Sequence, residues 1–270
     1  MNLSLRLGAV SLCGLLATSS FADDARVRVV HASPDAPAVD VLVDGSVAFS
    51  NLAFTESTMY AALPEGTYDV NVTAAGDPGA SVIEAMVMLD ADTDYSVVAV
   101  NTLANIEPLV LVDDNTRDPD NARIRFVHAS PDAPAVDIAL AGGDVLFGDI
   151  EFKEIGDYLA VPGGTYDLEV RLAGTNAVVL PLPGIQVSND TVYTVFAMGF
   201  AFDQPALQAV VTIDAGPIPL PGDLNGNGMV DGKDLGLLLE DWGRADSPAD
   251  LNGDGTVDGQ DLGLLLANWS

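Results

Sequence analysis

The chain is poor in cysteine, histidine and basic side chains, and each shortage closes off a class of function. Its one cysteine, Cys13, lies in an apolar segment near the start, so disulfides play no part in stabilising the remainder. Two histidines, His31 and His128, are too few for the usual zinc sites built from His and Cys ligands. Ten Lys and Arg stand against 40 Asp and Glu, a formal net charge of −30. Such a surface repels nucleic acid backbone and anionic membranes, which sets both aside as partners. Beyond the N-terminal segment no apolar run approaches the roughly 20 residues of a membrane span, so no membrane insertion is expected.

The N-terminal segment reads as a signal peptide over residues 1–22. Arg6 supplies a positive charge, Leu7 to Ala17 is apolar, and Ser20-Phe21-Ala22 is a small-x-small cleavage site. The mature protein is then expected to start at Asp23 and to be secreted, in an extracellular setting.

A duplication dominates the middle of the chain. The block Val30-His31-Ala32-Ser33-Pro34-Asp35-Ala36-Pro37-Ala38-Val39-Asp40 recurs unchanged as Val127 to Asp137. Arg26-Val27-Arg28-Val29 precedes the first copy and Arg123-Ile124-Arg125-Phe126 the second. Farther on, Leu63-Pro64-Glu65-Gly66-Thr67-Tyr68 parallels Val161-Pro162-Gly163-Gly164-Thr165-Tyr166. Blocks in the same order at a nearly constant offset mean two copies of one domain, placed at 24–114 and 121–215. Short runs rich in Val, Ile, Leu, Thr and Tyr alternate with Gly, Pro, Asp and Asn turns, and no segment of the first copy carries a helical apolar period. The pattern predicts strands near 26–32, 38–44, 58–62, 67–75, 81–89, 94–101 and 107–112, hence a β-sandwich for each copy. A polar linker runs from Asp113 to Asn121, and Gly216 to Pro221 is an extended, stiff linker to the tail.

His31, Ser33 and Asp35 are side-chain types used in nucleophilic catalysis, but they sit within five residues of one another. A triad converges from separate elements, so the block reads as a rigid turn in which Asp35 bonds backbone N–H groups. Arg26, Arg28, Arg123 and Arg125 alternate with apolar residues and share the non-core face of the first strand of each copy. Two roles are open to that face: pairing with neighbouring carboxylates, or holding a ligand.

The last fifty residues carry one oxygen-rich loop twice, Asp223 to Asp234 and Asp250 to Asp261. Oxygen-bearing side chains fall at loop positions 1, 3, 5, 9 and 12 with Gly at position 6, the spacing that wraps hard oxygen ligands around a calcium ion. After each loop comes a short helix with an apolar stripe: Leu235, Leu238, Leu239 and Trp242, then Leu262, Leu265, Leu266 and Trp269. The two stripes are expected to pack on each other. No helix precedes either loop, because prolines stand before the first and only six residues, Arg244 to Ala249, lie between Gly243 and the second.

With these features residues 222–270 resemble a type I dockerin, a family of tandem calcium loops each followed by one helix. The resemblance implies two Ca2+ ions. The first would be held by Asp223, Asn225, Asn227, Asp231 and Asp234 with the Met229 carbonyl, and the second by Asp250, Asn252, Asp254, Asp258 and Asp261 with the Thr256 carbonyl. It also implies a cohesin-like partner touching loop positions 10 and 11, here Gly232-Lys233 and Gly259-Gln260. These depart from the Ser/Thr pairs of well-known members. Leu237 and Leu264 lie off the stripes and are candidate partner contacts. The two copies at 24–215 resemble the DUF4397 family, through the His-Ala-Ser-Pro-Asp-Ala-Pro block and the Gly-Thr-Tyr turn; that likeness implies a β-sandwich and secretion but no activity.

The expected architecture is mainly β: two tandem β-sandwich (Ig-like) domains plus a small α-helical, calcium-loop domain. The expected function is non-catalytic, a binding or scaffold protein docked by its tail to a cohesin-type partner, with a glycan or cell-surface protein bound through the β domains. One rival is a polysaccharide hydrolase in those domains, which requires two carboxylates converging on a cleft. The other makes the tail only a calcium-stabilised end cap.

Overall fold

The computed structural model describes residues 24–216, 221–224, 230–245 and 247–269. The expected signal peptide, most of the second linker and the expected ligands Asn225, Asn227 and Met229 lie outside the described residues.

The first copy forms eight strands: β1 (Ala25–His31), β2 (Val39–Val43), β3 (Ser46–Leu52), β4 (Ala61–Leu63), β5 (Gly66–Ala74), β6 (Ser81–Leu89), β7 (Asp94–Val100) and β8 (Glu107–Asp113). The second repeats them as β9 (Ala122–His128), β10 (Val136–Leu140), β11 (Val145–Ile150), β12 (Leu159–Val161), β13 (Gly164–Leu172), β14 (Val178–Val187), β15 (Val192–Met198) and β16 (Gln208–Ala215). Each copy is a pair of four-stranded sheets, ordered β4-β1-β7-β8 and β3-β2-β5-β6, then β12-β9-β15-β16 and β11-β10-β13-β14. Two β-sandwich-like units result. All pairings are antiparallel except β1 with β7 and β9 with β15.

The strand expectations need two corrections. β3 was not among the expected strands, because Ser46 to Leu52 mixes small polar and apolar residues and stays largely exposed on an edge. It is nevertheless folded back on β2 by a tight turn in which Asp44 and Gly45 both take positive φ, the combination that short hairpins require. The strand expected at 58–62 is the short β4, displaced to Ala61–Leu63, while Ser57 makes an isolated bridge to Val30.

Alternation along β1 sends Val27 and Val29 into the core of their own sandwich, with Val41, Val72, Val87 and Val97. The opposite face, carrying Arg28 and Val30, was expected to be a non-core face. It is buried against the other copy. Val30, Val98, Val100 and Leu111 of the first unit form one apolar cluster with Val127, Phe196 and Met198 of the second. Arg28 and Arg125 are each only 2 % exposed, so the ligand-holding role open to that face does not extend to these two.

Between the sandwiches lies a closed, buried ring of polar groups. Arg28 Nε donates to Ser96 Oγ (2.7 Å), and Ser96 Oγ–H donates to Asp113 Oδ2 (2.6 Å). Asp113 Oδ1 accepts from Arg125 Nη2. Arg125 Nε donates to Thr194 Oγ1 (2.7 Å), whose hydroxyl donates to Asp214 Oδ2. Asp214 Oδ1 accepts from Arg28 Nη2 (2.6 Å), closing the circuit. The ring crosses the interface twice and balances two guanidinium charges with two carboxylates. Tyr60 and Tyr158 lie against it, their rings 4.9 Å from Arg28 Cζ and 5.1 Å from Arg125 Cζ, a cation–π distance. Burial pushes the Tyr158 hydroxyl up to about 12 and raises that of Tyr60 as well. At the edges, Arg26 pairs with Asp94 and Arg123 with Asp114 (2.7 Å). The linker between the copies is held down by Arg123 and by an Arg117–Asp190 pair (2.6 Å).

Removing one member of a buried pair leaves an uncompensated charge, whereas replacing both with apolar side chains is far milder. Arg28→Met should therefore lower the unfolding free energy by about 3–5 kcal/mol, and adding Asp214→Leu should recover most of the loss. Urea unfolding of the full chain, followed by fluorescence, checks the order of the three proteins.

Candidate functional site

In its described residues the tail shows two helices with the same start. Loop Asp223–Asp234 leads into α1 (Gly232–Glu240), and loop Asp250–Asp261 leads into α2 (Gly259–Ala267). Each helix starts in a capping box. Asp231 and Asp258 are the N-caps, accepting from the amides of Lys233 (2.8 Å) and Gln260 (2.7 Å). Asp234 and Asp261, three residues on, reach back to the N-cap amides. Both of these carboxylates are fully buried, and each also holds the front of its loop, through Leu224 N for Asp234 and Leu251 N for Asp261 (2.9 Å each). Amide donors hold the Asp261 carboxyl below the usual carboxylate range.

In the second loop the Asp250 carboxylate accepts from the amides of Gly253, Asp254 and Gly255. Asp254 accepts from Thr256 N (3.1 Å) and from Asn252 Nδ2 (2.9 Å). Gly255 takes φ of +92°, which a residue with a Cβ resists. Hard, anionic oxygens and the position-6 glycine fit a calcium ion by chemistry. Among the described residues, however, no group of three or more His, Cys, Asp or Glu side chains is gathered as a ready metal cluster. Of the first loop's expected ligands, Asp223, Asp231 and Asp234 are described.

The helix stripes divide differently from the expectation. Leu238 and Leu265 are buried with Val230, Val257 and Ala249, and Leu235 and Leu262 pack against them. Leu239, Trp242, Leu266 and Trp269 are about half exposed. The loop valines and Ala249 fill the space that the second half of each stripe was expected to occupy, and the tryptophans fall beyond the last helical residue. Leu237 and Leu264 are partly exposed, as are the four loop-10 and loop-11 residues Gly232, Lys233, Gly259 and Gln260. Sequence reasoning therefore missed four candidate contact side chains. A signal for them was available: nine-residue helices paired around so small a core cannot bury four large side chains each.

The repeated Ser-Pro-Asp-Ala-Pro block is a stapled turn. His31 Nε2 lies 3.0 Å from Pro37 O while its Nδ1 accepts from Ser33 N (3.3 Å). His128 repeats this with Pro134 O (3.2 Å) and Ser130 N (3.4 Å). An acceptor Nδ1 and a donor Nε2 make each imidazole neutral. Neither histidine bonds a serine hydroxyl: Ser33 Oγ has no partner among the described residues, and Ser130 Oγ–H donates to Gly199 O (2.6 Å). Asp35 instead accepts from Leu103 N (2.7 Å), and Asp132 from Ala201 N (2.7 Å) and Phe202 N (3.2 Å). The aspartates thus fasten the loop that follows the parallel partner strand. No Ser–His–Asp relay forms in this block.

Among the described residues no helix is long and apolar enough to cross a membrane. A family model described as a domain of unknown function, DUF4397, matches residues 25–139 and again 139–224. No curated protein matches the chain. Among solved structures, the carbohydrate-binding module (family CBM26) of Amy13K from Eubacterium rectale, in complex with maltoheptaose, is similar at 9 % identity over 70 % of this chain and 96 % of its own, with a TM-score of 0.23. A Bacteroides fragilis protein provisionally described as a cell adhesion protein is similar at 8 % identity over 71 % of this chain and 97 % of its own, with a TM-score of 0.19. Likenesses this loose bring neither a fold nor a ligand to this chain.

Burial holds the pKa of both histidines below the ordinary value, against the smaller pull of their Pro carbonyls. The unfolded chain then takes up protons near pH 6.5 that the folded chain refuses. Stability is full above that pH and should fall as pH drops through it, by at most about 1.4 kcal/mol per pH unit for each histidine. Between pH 7.5 and 5.5, melting temperatures should decline less steeply in His31→Gln/His128→Gln than in the parent chain.

Proposed function

We propose that this chain, which belongs to the DUF4397 family, is a secreted, non-catalytic binding protein: a coupled pair of β-sandwiches presented on a calcium-dependent docking tail. The observation that carries this reading is the tail's twofold construction. Two loop–helix units share the same capping box and the same buried position-12 aspartate, and both leave leucine and tryptophan side chains open to solvent. Large apolar side chains left open to solvent on both units are read as an interaction surface, here for a cohesin-like domain. Contacts would come from Leu237, Leu239, Trp242 and Lys233 on one unit, and from Leu264, Leu266, Trp269 and Gln260 on the other.

Asp223, Asn225, Asn227, Asp231 and Asp234 with the Met229 carbonyl would hold one calcium ion. Asp250, Asn252, Asp254, Asp258 and Asp261 with the Thr256 carbonyl would hold the second. Bound calcium supplies positive charge that ties the oxygen donors of each loop together. The second loop offers four carboxylates and the first three, so the second binds more tightly. Catalysis draws no support from the β units. Their histidine blocks act as turns, and the roomy cavity of the second unit, about 660 Å3, is lined by one carboxylate, Asp203, where a hydrolase needs two.

Calorimetric titration of the full chain with calcium chloride should show two sites of unequal affinity. Asp254→Asn should weaken the tighter one by about an order of magnitude, and Asn227→Asp should strengthen the weaker; one affinity throughout would overturn the assignment. Immobilised chain should retain a cohesin domain in calcium and release it in EDTA. Calcium binding without any such capture would reduce the tail to an end cap.

A further inference from the structure

The duplication supplies an internal comparison: where the two copies agree, the residues build the fold, and where they diverge, one copy has gained something. The sharpest divergence is the loop after the parallel partner strand. In the first unit it is Asn101–Ile106, six residues with a short 3-10 turn; in the second it is Gly199–Leu207, nine residues. The longer loop is bonded to itself and to its own sandwich. Phe200 N donates to Pro205 O and Leu207 N to Phe200 O, both at 2.8 Å. Asp132 accepts the amides of Ala201 and Phe202, and Ser130 Oγ–H holds Gly199 O. At Gly199 a Cβ would stand 2.4 Å from Ala206 O, so the fold of the loop depends on glycine there.

This fastened loop holds Phe202 83 % exposed. Beside it opens the cavity of about 660 Å3, floored by Val136, Leu172, Val179 and Leu207, with Asp203 and Gln204 also in its lining. That volume lies within the ordinary range of small-molecule sites. The first unit has no aromatic at the matching loop; Leu103 stands there.

We infer that this cavity and the Phe202 ring form a binding site for a neutral oligosaccharide, an inference that rests on reading the β units as binding modules. The chemistry selects that class. A pyranose offers a flat C–H face, which suits an exposed ring and an apolar floor, and hydroxyls around its edge, which suit a carboxylate acceptor and an amide that both donates and accepts. No Lys or Arg lines the cavity, so an anionic sugar would find no counter-charge and would face a chain of net charge −30. A peptide docking by its main chain would compete for amides that Asp132 and Pro205 O already occupy.

Isothermal titration of the full chain in EDTA tests this apart from docking, since the tail's calcium sites are then empty. The probes are maltoheptaose, cellohexaose, xylohexaose, mannohexaose and laminarihexaose, with heparin as the anionic control. Saturable binding to at least one neutral probe is expected, with loss of about tenfold or more in affinity in Phe202→Ala and a smaller loss in Gln204→Ala. Phe202 is mostly in solvent, so that variant should keep the parent melting temperature. Leu103→Ala, at the matching loop of the first unit, should bind as the parent does. Binding to no neutral probe, binding unchanged in Phe202→Ala, or preference for heparin would each overturn the inference, and none of these results bears on whether the tail docks.

Discussion

The ring of Arg28, Ser96, Asp113, Arg125, Thr194 and Asp214 is the constraint on which the arrangement of the β units depends. Each guanidinium uses its fork in two directions at once, Nε to a hydroxyl of its own unit and Nη2 to a carboxylate of the other. A lysine ammonium, a single point of charge, has no such fixed geometry. The circuit also binds register to docking. The parallel pairing of β1 with β7 sets Arg28 opposite Ser96, and that of β9 with β15 sets Arg125 opposite Thr194. A slip of one residue in either ladder would turn these side chains toward the sandwich core and the valines toward the other unit. Interior packing, strand register and the joint between units are therefore one condition.

The surplus of acid has a structural logic as well as a surface one. Asp40 accepts the amides of Asn51 and Gly76, and Asp137, its counterpart, accepts those of Asp149 and Gly174. Asp44, Asp167 and Asp132 likewise close turns through backbone amides. In a chain without disulfides to fix its loops, short carboxylates do that work locally, and the amides they accept hold the Asp40 carboxyl below its usual range. Part of the net charge of −30 is thus a by-product of how the turns are made.

Much of the fold was legible because the signals were local. The strand expected at 81–89 is β6 residue for residue, and the rigid turn expected at Asp35 is present, with Asp35 bonded to a backbone amide. What stayed hidden depended on distant partners. Nothing in the neighbourhood of Arg28 reveals that its carboxylate is Asp214, 186 residues away, so the Arg face of the first strand read as non-core although Arg28 and Val30 are buried on it. β3 escaped notice for the opposite reason: an edge strand with one buried residue has little hydrophobic pattern to display. The helix stripes misled because periodicity reports which residues share a face, not how much surface the partner offers to cover it.

The same distinction bears on how the tail could couple a metal to a docking face. Asp258 is both the ninth residue of its loop and the N-cap of α2, and Asp261 is both the twelfth residue and the capping-box partner. Both already accept backbone amides, so the start of the helix is held by the protein itself. The proposed calcium ion would add to these contacts. Its contribution would be to the segment between Asp250 and Asp258, whose three carboxylates, with that of Asp261, crowd into twelve residues where only amide dipoles offset their repulsion. The apolar side chains of α2 would then feel the ion through the two carboxylates shared by loop and helix, and those of α1 through Asp231 and Asp234 in the same way. Two short units whose proposed calcium ligands double as helix caps would thus tie the docking face directly to the loop.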